Sequence, residues 1–257
     1  MRVIHISFKA FLVVAYICCV ATVVAQKKSL VTSTVNYKSG KDTVSAYLCL
    51  PDAKGPFPTI ILIHEWWGMN DWVKENAKSF ATRGYAAMSI DLYRGKVAKA
   101  PDEAHELMRG LPEDRALRDL KAAFQYLKSR KEVKQDKIGV IGWCMGGGYS
   151  LMSAVNIPEL ASCVICYGRL ITDSSAIASI PCPVLGVFGE KDTGIDPKDV
   201  KQFETDARAL GKDVTAIIYP NARHAFMNPN NDGGYSMNTA QDAWNKIFTF
   251  IDSTLTK

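Results

Sequence analysis

Apolar and polar positions along this chain fall into two kinds of run. Residues 31–37 and 43–50 are rich in β-prone side chains and flank Ser39-Gly40, the pattern of an antiparallel hairpin. Residues 59–63 follow Pro56 and Pro58 and are almost continuously apolar, as in a strand covered on both faces. Strand and helix signals then alternate. Residues 70–83 have helical periodicity that stops at Gly84, and 85–90 form a strand. A polar, helix-prone stretch covers 101–130, with a break near Leu111-Pro112. Strand 137–143, a helix from Cys144 to about Val155, and strands 161–167 and 184–188 come next. Helix 197–210, strand 214–219 and a last helix over 237–254 complete the pattern. The alternation predicts an α/β fold: a mostly parallel central sheet with helices on both faces and an N-terminal antiparallel hairpin. No repeat, low-complexity tract or linker divides it.

The N-terminus has a different character. Arg2 and Lys9 precede an apolar run over 11–24, and Val23-Val24-Ala25 offers small residues before a cut. This is the pattern of a secretory signal peptide over 1–25, so the expected product is an exported domain, 26–257, free of the membrane once cleaved. The chain carries 31 basic and 26 acidic residues, a formal charge of +5 that cleavage lowers. Their interspersion describes an ordinary solvated surface and gives no case for nucleic-acid binding. Of seven cysteines, Cys18 and Cys19 lie in the leader, leaving Cys49, Cys144, Cys163, Cys166 and Cys182. An odd number in an exported chain leaves at least one thiol unpaired or paired with another molecule. Four of them lie in or beside apolar strand-like runs, where thiols behave as small hydrophobes.

Cys144 is the exception, because glycines surround it in Gly142-Trp-Cys-Met-Gly-Gly-Gly148. An apolar strand ends at this point and a helical pattern begins. That is the context of a nucleophile elbow, with cysteine as the nucleophile and Gly142 and Gly146 leaving room for the turn. An oxidising compartment would endanger such a thiol, which counts against the enzyme reading. A base is needed nearby. His224 follows strand 214–219 and a Pro220-Asn221 turn, which puts it at the sheet edge where ligands collect. Asp192, just past strand 184–188, is the candidate to orient the imidazole; Asp196 and Asp199 are rivals that read as helix-start acids. His64-Glu-Trp-Trp-Gly68 follows the first buried strand, and its loop is placed to give one oxyanion amide, Trp66, with Met145 giving the other. Zinc binding by His64 and a second histidine is excluded, because position 68 is Gly; no metal or organic cofactor is expected. Trp66, Trp67 and Tyr93 are candidates either for a substrate pocket or for core packing. His64 is expected to pack at a strand end and His105 to sit on a solvated helix.

Five segments in order, His64-Glu-Trp-Trp-Gly68, Asp91-Leu-Tyr93, Gly142-Trp-Cys-Met-Gly-Gly147, Gly189-Glu-Lys-Asp192 and His224-Ala-Phe226, resemble the dienelactone hydrolase family. The resemblance implies an α/β-hydrolase fold, a Cys144–His224–Asp192 triad, and a part for Glu65 in activating the nucleophile. It implies hydrolysis of a small-molecule ester or lactone; separately, a monomer or homodimer is expected. One departure stands out. The family carries a carboxylate-binding arginine four residues after the triad histidine, and this chain has Asn228. Arg94, Arg109 and Arg115 are stand-ins for a second substrate arginine, with Arg109, Asn228, Trp67 and Tyr93 taken as substrate contacts. Losing a bidentate carboxylate partner favours neutral esters over anionic lactones. Two other classes compete. One is a catalytically weak binding protein on the same fold. The other is a nucleotide-binding module, disfavoured because Gly146-Gly-Gly148 lacks the required spacing and a Walker lysine.

Overall fold

In the computed structural model, which describes residues 29–256, the alternation becomes an eight-stranded sheet. The expected signal peptide lies outside the described residues. The first hairpin is β1 (Leu30–Ser39) and β2 (Asp42–Pro51), and β2 joins the sheet antiparallel to β4 (Ala86–Ile90). The other strands run parallel: β3 (Phe57–Ile63), β5 (Val133–Trp143), β6 (Ser162–Cys166), β7 (Val184–Gly189) and β8 (Val214–Tyr219). Spatial order is β1-β2-β4-β3-β5-β6-β7-β8. The α/β-hydrolase expectation holds.

Helices cover both faces. α1 (Asp71–Thr82) and α7 (Met237–Leu255) close one core with Phe80, Trp143, Ile247 and Phe248. α3 (Glu113–Lys128), α4 (Met145–Asn156) and α6 (Pro197–Ala209) close the other with Leu120, Phe124, Leu151 and Phe203. β3 shows why its run is continuously apolar: Ile60 and Leu62 face the first core while Ile61 and Ile63 face the second. The Leu111-Pro112 break separates α2 (Pro101–Arg109) from α3. Two features differ from expectation. β5 starts at Val133 because that residue pairs with Phe57 across a register shift. A short helix, α5 (Ser174–Ala178), is started by the Asp173 side chain accepting from Ser175 N, a local cap that apolar periodicity does not reveal.

Because β3 to β8 are parallel, their C-terminal ends share one edge. The loops carrying Glu65, Cys144, Tyr167, Asp192 and His224 all leave from it.

Candidate active site

Cys144 joins β5 to α4 with φ 56° and ψ −118°, a strained conformation for a residue with a side chain. Close packing enforces it. A Cβ on Gly142 would stand 2.1 Å from the Gly146 carbonyl oxygen, and one on Gly146 would stand 2.3 Å from that of Ile63. Only glycine at both positions lets α4 start flush against the strand ends, and this pushes Cys144 outward. Its thiol is half-buried, whereas Cys49, Cys163, Cys166 and Cys182 are buried and free.

His224 reaches the same point from the loop after β8. Its Nδ1 donates to Asp192 Oδ2 at 2.7 Å, and the ring is within hydrogen-bonding reach of the Cys144 thiol on the other side. Burial alone would lower the imidazole's pKa. The bonds to Asp192 and Cys144, with their negative charges, outweigh it and raise it to about 10. Asp192 is itself held, with Oδ1 accepting from Gly194 N at 2.8 Å and Ile195 N at 3.2 Å. Its rival Asp196 caps α6 through Lys198 N, and Asp199 lies in the first turn of that helix. Asn231 Nδ2 clamps the histidine loop by donating to the carbonyls of His224 and Ala225.

Glu65 is buried at the wall of the same cavity as Cys144, with Oε2 accepting from Asn228 Nδ2 at 2.6 Å. Desolvation pushes its carboxyl up to about 7, against the pull of Asn228, His224 and the nearby Tyr167 hydroxyl. Tyr167 and Glu65 do not close a good hydrogen bond: the Tyr167 hydroxyl and Glu65 Oε1 are both buried without a partner. The Tyr167 ring sits edge-on to His224, centroids 5.2 Å apart, on a backbone with φ 42°. His64 is fully buried and neutral in its bonding: Nδ1 donates to the Glu65 carbonyl and Nε2 accepts from Leu92 N. Burial holds its pKa down. The turn that Gly68 N closes onto the Glu65 carbonyl does not use the amide of Trp66. The Met145 amide, first in α4, has no acceptor within the helix.

Glu65, Cys144, Asp192 and His224 line a cavity of about 600 Å³ whose walls also include Trp66, Trp67, His105, Met108 and Asn230. A more open groove of about 730 Å³ runs past the outer side of His224 between Lys191 and Arg223, and Cys144 does not line it.

Several sequence expectations are corrected here. Arg109 lies outside the cavity, exposed at the end of α2 with Nε on the His105 carbonyl. Arg94 pairs with buried Asp119 at 2.7 Å, and Arg115 donates to the Leu92 carbonyl. Among the described residues, no lysine or arginine lines the cavity. Tyr93 is buried behind the wall, its hydroxyl donating to Met145 Sδ. Asn228 reaches the cavity floor, but both ends of its amide are committed, to Glu65 and to Asn230 N. His105 is exposed on α2, as expected, and also packs edge-on against Trp66 at 4.6 Å, which adds it to the cavity wall. Tyr167, Met108 and Asn231 carried no sequence signal beyond helix or strand-end patterning.

The model of the dienelactone hydrolase family matches residues 44–255. "Protein usf" of Aquifex pyrophilus is 32% identical over 86% of this chain and 98% of its own length. A Methylorubrum extorquens protein, named provisionally as a carboxymethylenebutenolidase, is 29% identical over 88% of this chain and 82% of its own. Among solved structures, a dienelactone hydrolase-like promiscuous phosphotriesterase from metagenomic libraries superposes with a TM-score of 0.81. It is 22% identical over 88% of this chain and 98% of its own, which speaks to the fold alone. The chain belongs to the dienelactone hydrolase family and is a hydrolase of that kind.

Proposed function

We propose that the protein hydrolyses carboxylic esters or lactones through an acyl-enzyme on Cys144, with His224 moving the proton and Asp192 orienting it. The observation that carries this reading is the single file of Asp192, His224 and Cys144 opening into the cavity. Three features support the steps. His224 stands between Asp192 and Cys144, placed to take the thiol proton and hold it while sulfur attacks. Attack on the carbonyl carbon moves the C=O electrons onto oxygen, where the Trp66 and Met145 amides are free to donate. Collapse expels the alkoxide, which takes the proton from His224. The neutral imidazole then deprotonates water, hydroxide attacks the thioester, and the thiolate leaves with the imidazolium restored. Glu65 lies against this pair as a buried acid near neutrality.

The cavity lining favours neutral substrates, because Asn228 is spent on Glu65 and, among the described residues, no guanidinium lines the cavity in place of the missing arginine. The reading includes export, on the leader pattern of residues 1–25. N-terminal sequencing of protein recovered outside the cytoplasm checks that cut.

The test is a panel of neutral activated esters and anionic dienelactones on the 26–257 protein, with iodoacetamide treatment and Cys144→Ala. Neutral esters are expected to react at least as well as dienelactones, and both interventions to reduce turnover to background. Full turnover by Cys144→Ala excludes the mechanism. Exclusive use of dienelactones excludes the neutral-substrate reading.

A further inference from the structure

Helix α4 is apolar on more than one side, as a helix buried all round would be. Its Gly146, Gly147, Ser150, Leu151 and Ala154 are buried in the body of the protein. A second stripe, Met145, Gly148, Tyr149 and Met152, has the spacing of one helix face and is only half-buried. Together with Met108 and Ile171, this stripe walls a cavity of about 330 Å³. Arg169 and Glu113 stand at its rim, 3.4 Å apart and both largely exposed, a pair too weak to seal it.

Two observations tie this space to the chemistry. Met108 lines both this cavity and the one holding Cys144, so the two lie on either side of one flexible side chain. Met145, whose amide is a proposed oxyanion donor, forms part of its wall. The direction follows from the proposed reaction. The leaving-group oxygen takes its proton from His224, so the alcohol part must lie on the His224 side, where the open groove runs. The acyl part then extends the other way. His224 does not line the methionine-walled cavity.

We propose that this cavity is an acyl subsite, entered past Met108, that receives an unbranched alkyl or flat aryl acyl arm. The proposal rests on the ester-hydrolase reading above. At roughly 30 Å³ per water-sized group the space holds roughly ten such groups, so an acyl chain of up to about eight carbons fits. A charged arm gains little, because Glu113 offsets Arg169.

The experiment measures kcat/KM for p-nitrophenyl esters from acetate to decanoate on the 26–257 protein. The expected rise is about three- to fourfold per methylene, levelling near octanoate. Gly148→Leu and Met152→Trp fill the cavity. A Cβ at position 148 meets the Arg169 backbone and Cβ only at ordinary contact distance, 3.5 Å, so the added chain has room to grow into the cavity. In both variants the octanoate-to-acetate ratio is expected to fall towards one. A flat series in the native chain, or a steep one that neither filling changes, overturns the proposal. A binding measurement keeps the two readings apart. Cys144→Ala is titrated calorimetrically with p-nitrophenyl hexanoate and acetate. Tighter hexanoate binding that Met152→Trp abolishes supports the subsite even if no ester is cleaved, whereas equal affinities overturn it even if all are.

Discussion

Two carboxylates lie close to His224, the proposed base, and the protein treats them in opposite ways. Asp192 and Glu65 are both buried. Asp192 is saturated: two amides hold Oδ1 and His224 Nδ1 holds Oδ2. Glu65 has Asn228 on one oxygen and, among the described residues, no good hydrogen bond on the other, with the Tyr167 hydroxyl nearby and likewise without one. A carboxylate held by several donors is fixed in place, suited to orienting the imidazole beside it. A carboxyl kept dry and half-satisfied sits near its midpoint at neutral pH and can change charge as the chemistry beside it changes. Burial alone does not assign a role to an acid; the number of donors around it does.

The largest break in this comparison comes from Asp192→Asn. The amide keeps the shape but cannot hold the imidazole in its working tautomer, so kcat is expected to fall about 10³- to 10⁴-fold with little change in Tm. Steady-state kinetics on p-nitrophenyl acetate read it. A loss of under tenfold would move the orienting role away from Asp192.

How far this contrast could be read from the sequence depends on the reach of each signal. Strand and helix runs are local, so β3, β5 and the elbow at Cys144 were legible from apolar continuity and glycines. Cys144, Asp192 and His224 were legible one by one, because each ends a recognisable strand and parallel strands bring those ends together. The Glu65–Asn228 contact was not legible. It joins residues 163 apart, on loops whose conformations no periodicity encodes. In the sequence Asn228 is only an absent arginine; in space it is the one donor to a buried acid. Tyr167 was hidden in the same way, since its positive φ and its place against His224 depend on β6 ending beside α4. Arg109 shows the reverse error: a plausible charge on the right helix, turned to solvent.

Glu65→Gln sharpens the comparison through pH. The carboxyl is raised by burial from 4.5 to about 7, so the folded chain binds more protons than the unfolded chain between those values. Native stability therefore falls as pH rises through that window. The glutamine variant has no such penalty. It is expected to match the native chain near pH 4.5 and to exceed it above pH 7, by at most about 3 kcal/mol. The same variant is expected to lose about 10²-fold in kcat/KM and the inflection near pH 7 in its profile. Tm measured at pH 5 and pH 8 checks the first part. An offset of equal size at both would show that Glu65 does not titrate in this range.

The smallest change is expected from Asn228→Ala, which leaves the acid in place and removes its donor. Asn228 pulls the Glu65 carboxyl down, so deleting it must move that group further up. A hydrogen bond to a charged group is worth about 1.5–3 kcal/mol, which corresponds to roughly one to two pH units. The inflection in kcat/KM assigned to Glu65 is expected to shift alkaline by about that amount, while the plateau rate changes only several-fold. A profile that keeps its midpoint would mean that Asn228 merely fills the cavity floor. In that case the unpartnered Tyr167 hydroxyl would be left as the group that tunes Glu65, and Tyr167→Phe would then have to move the same inflection.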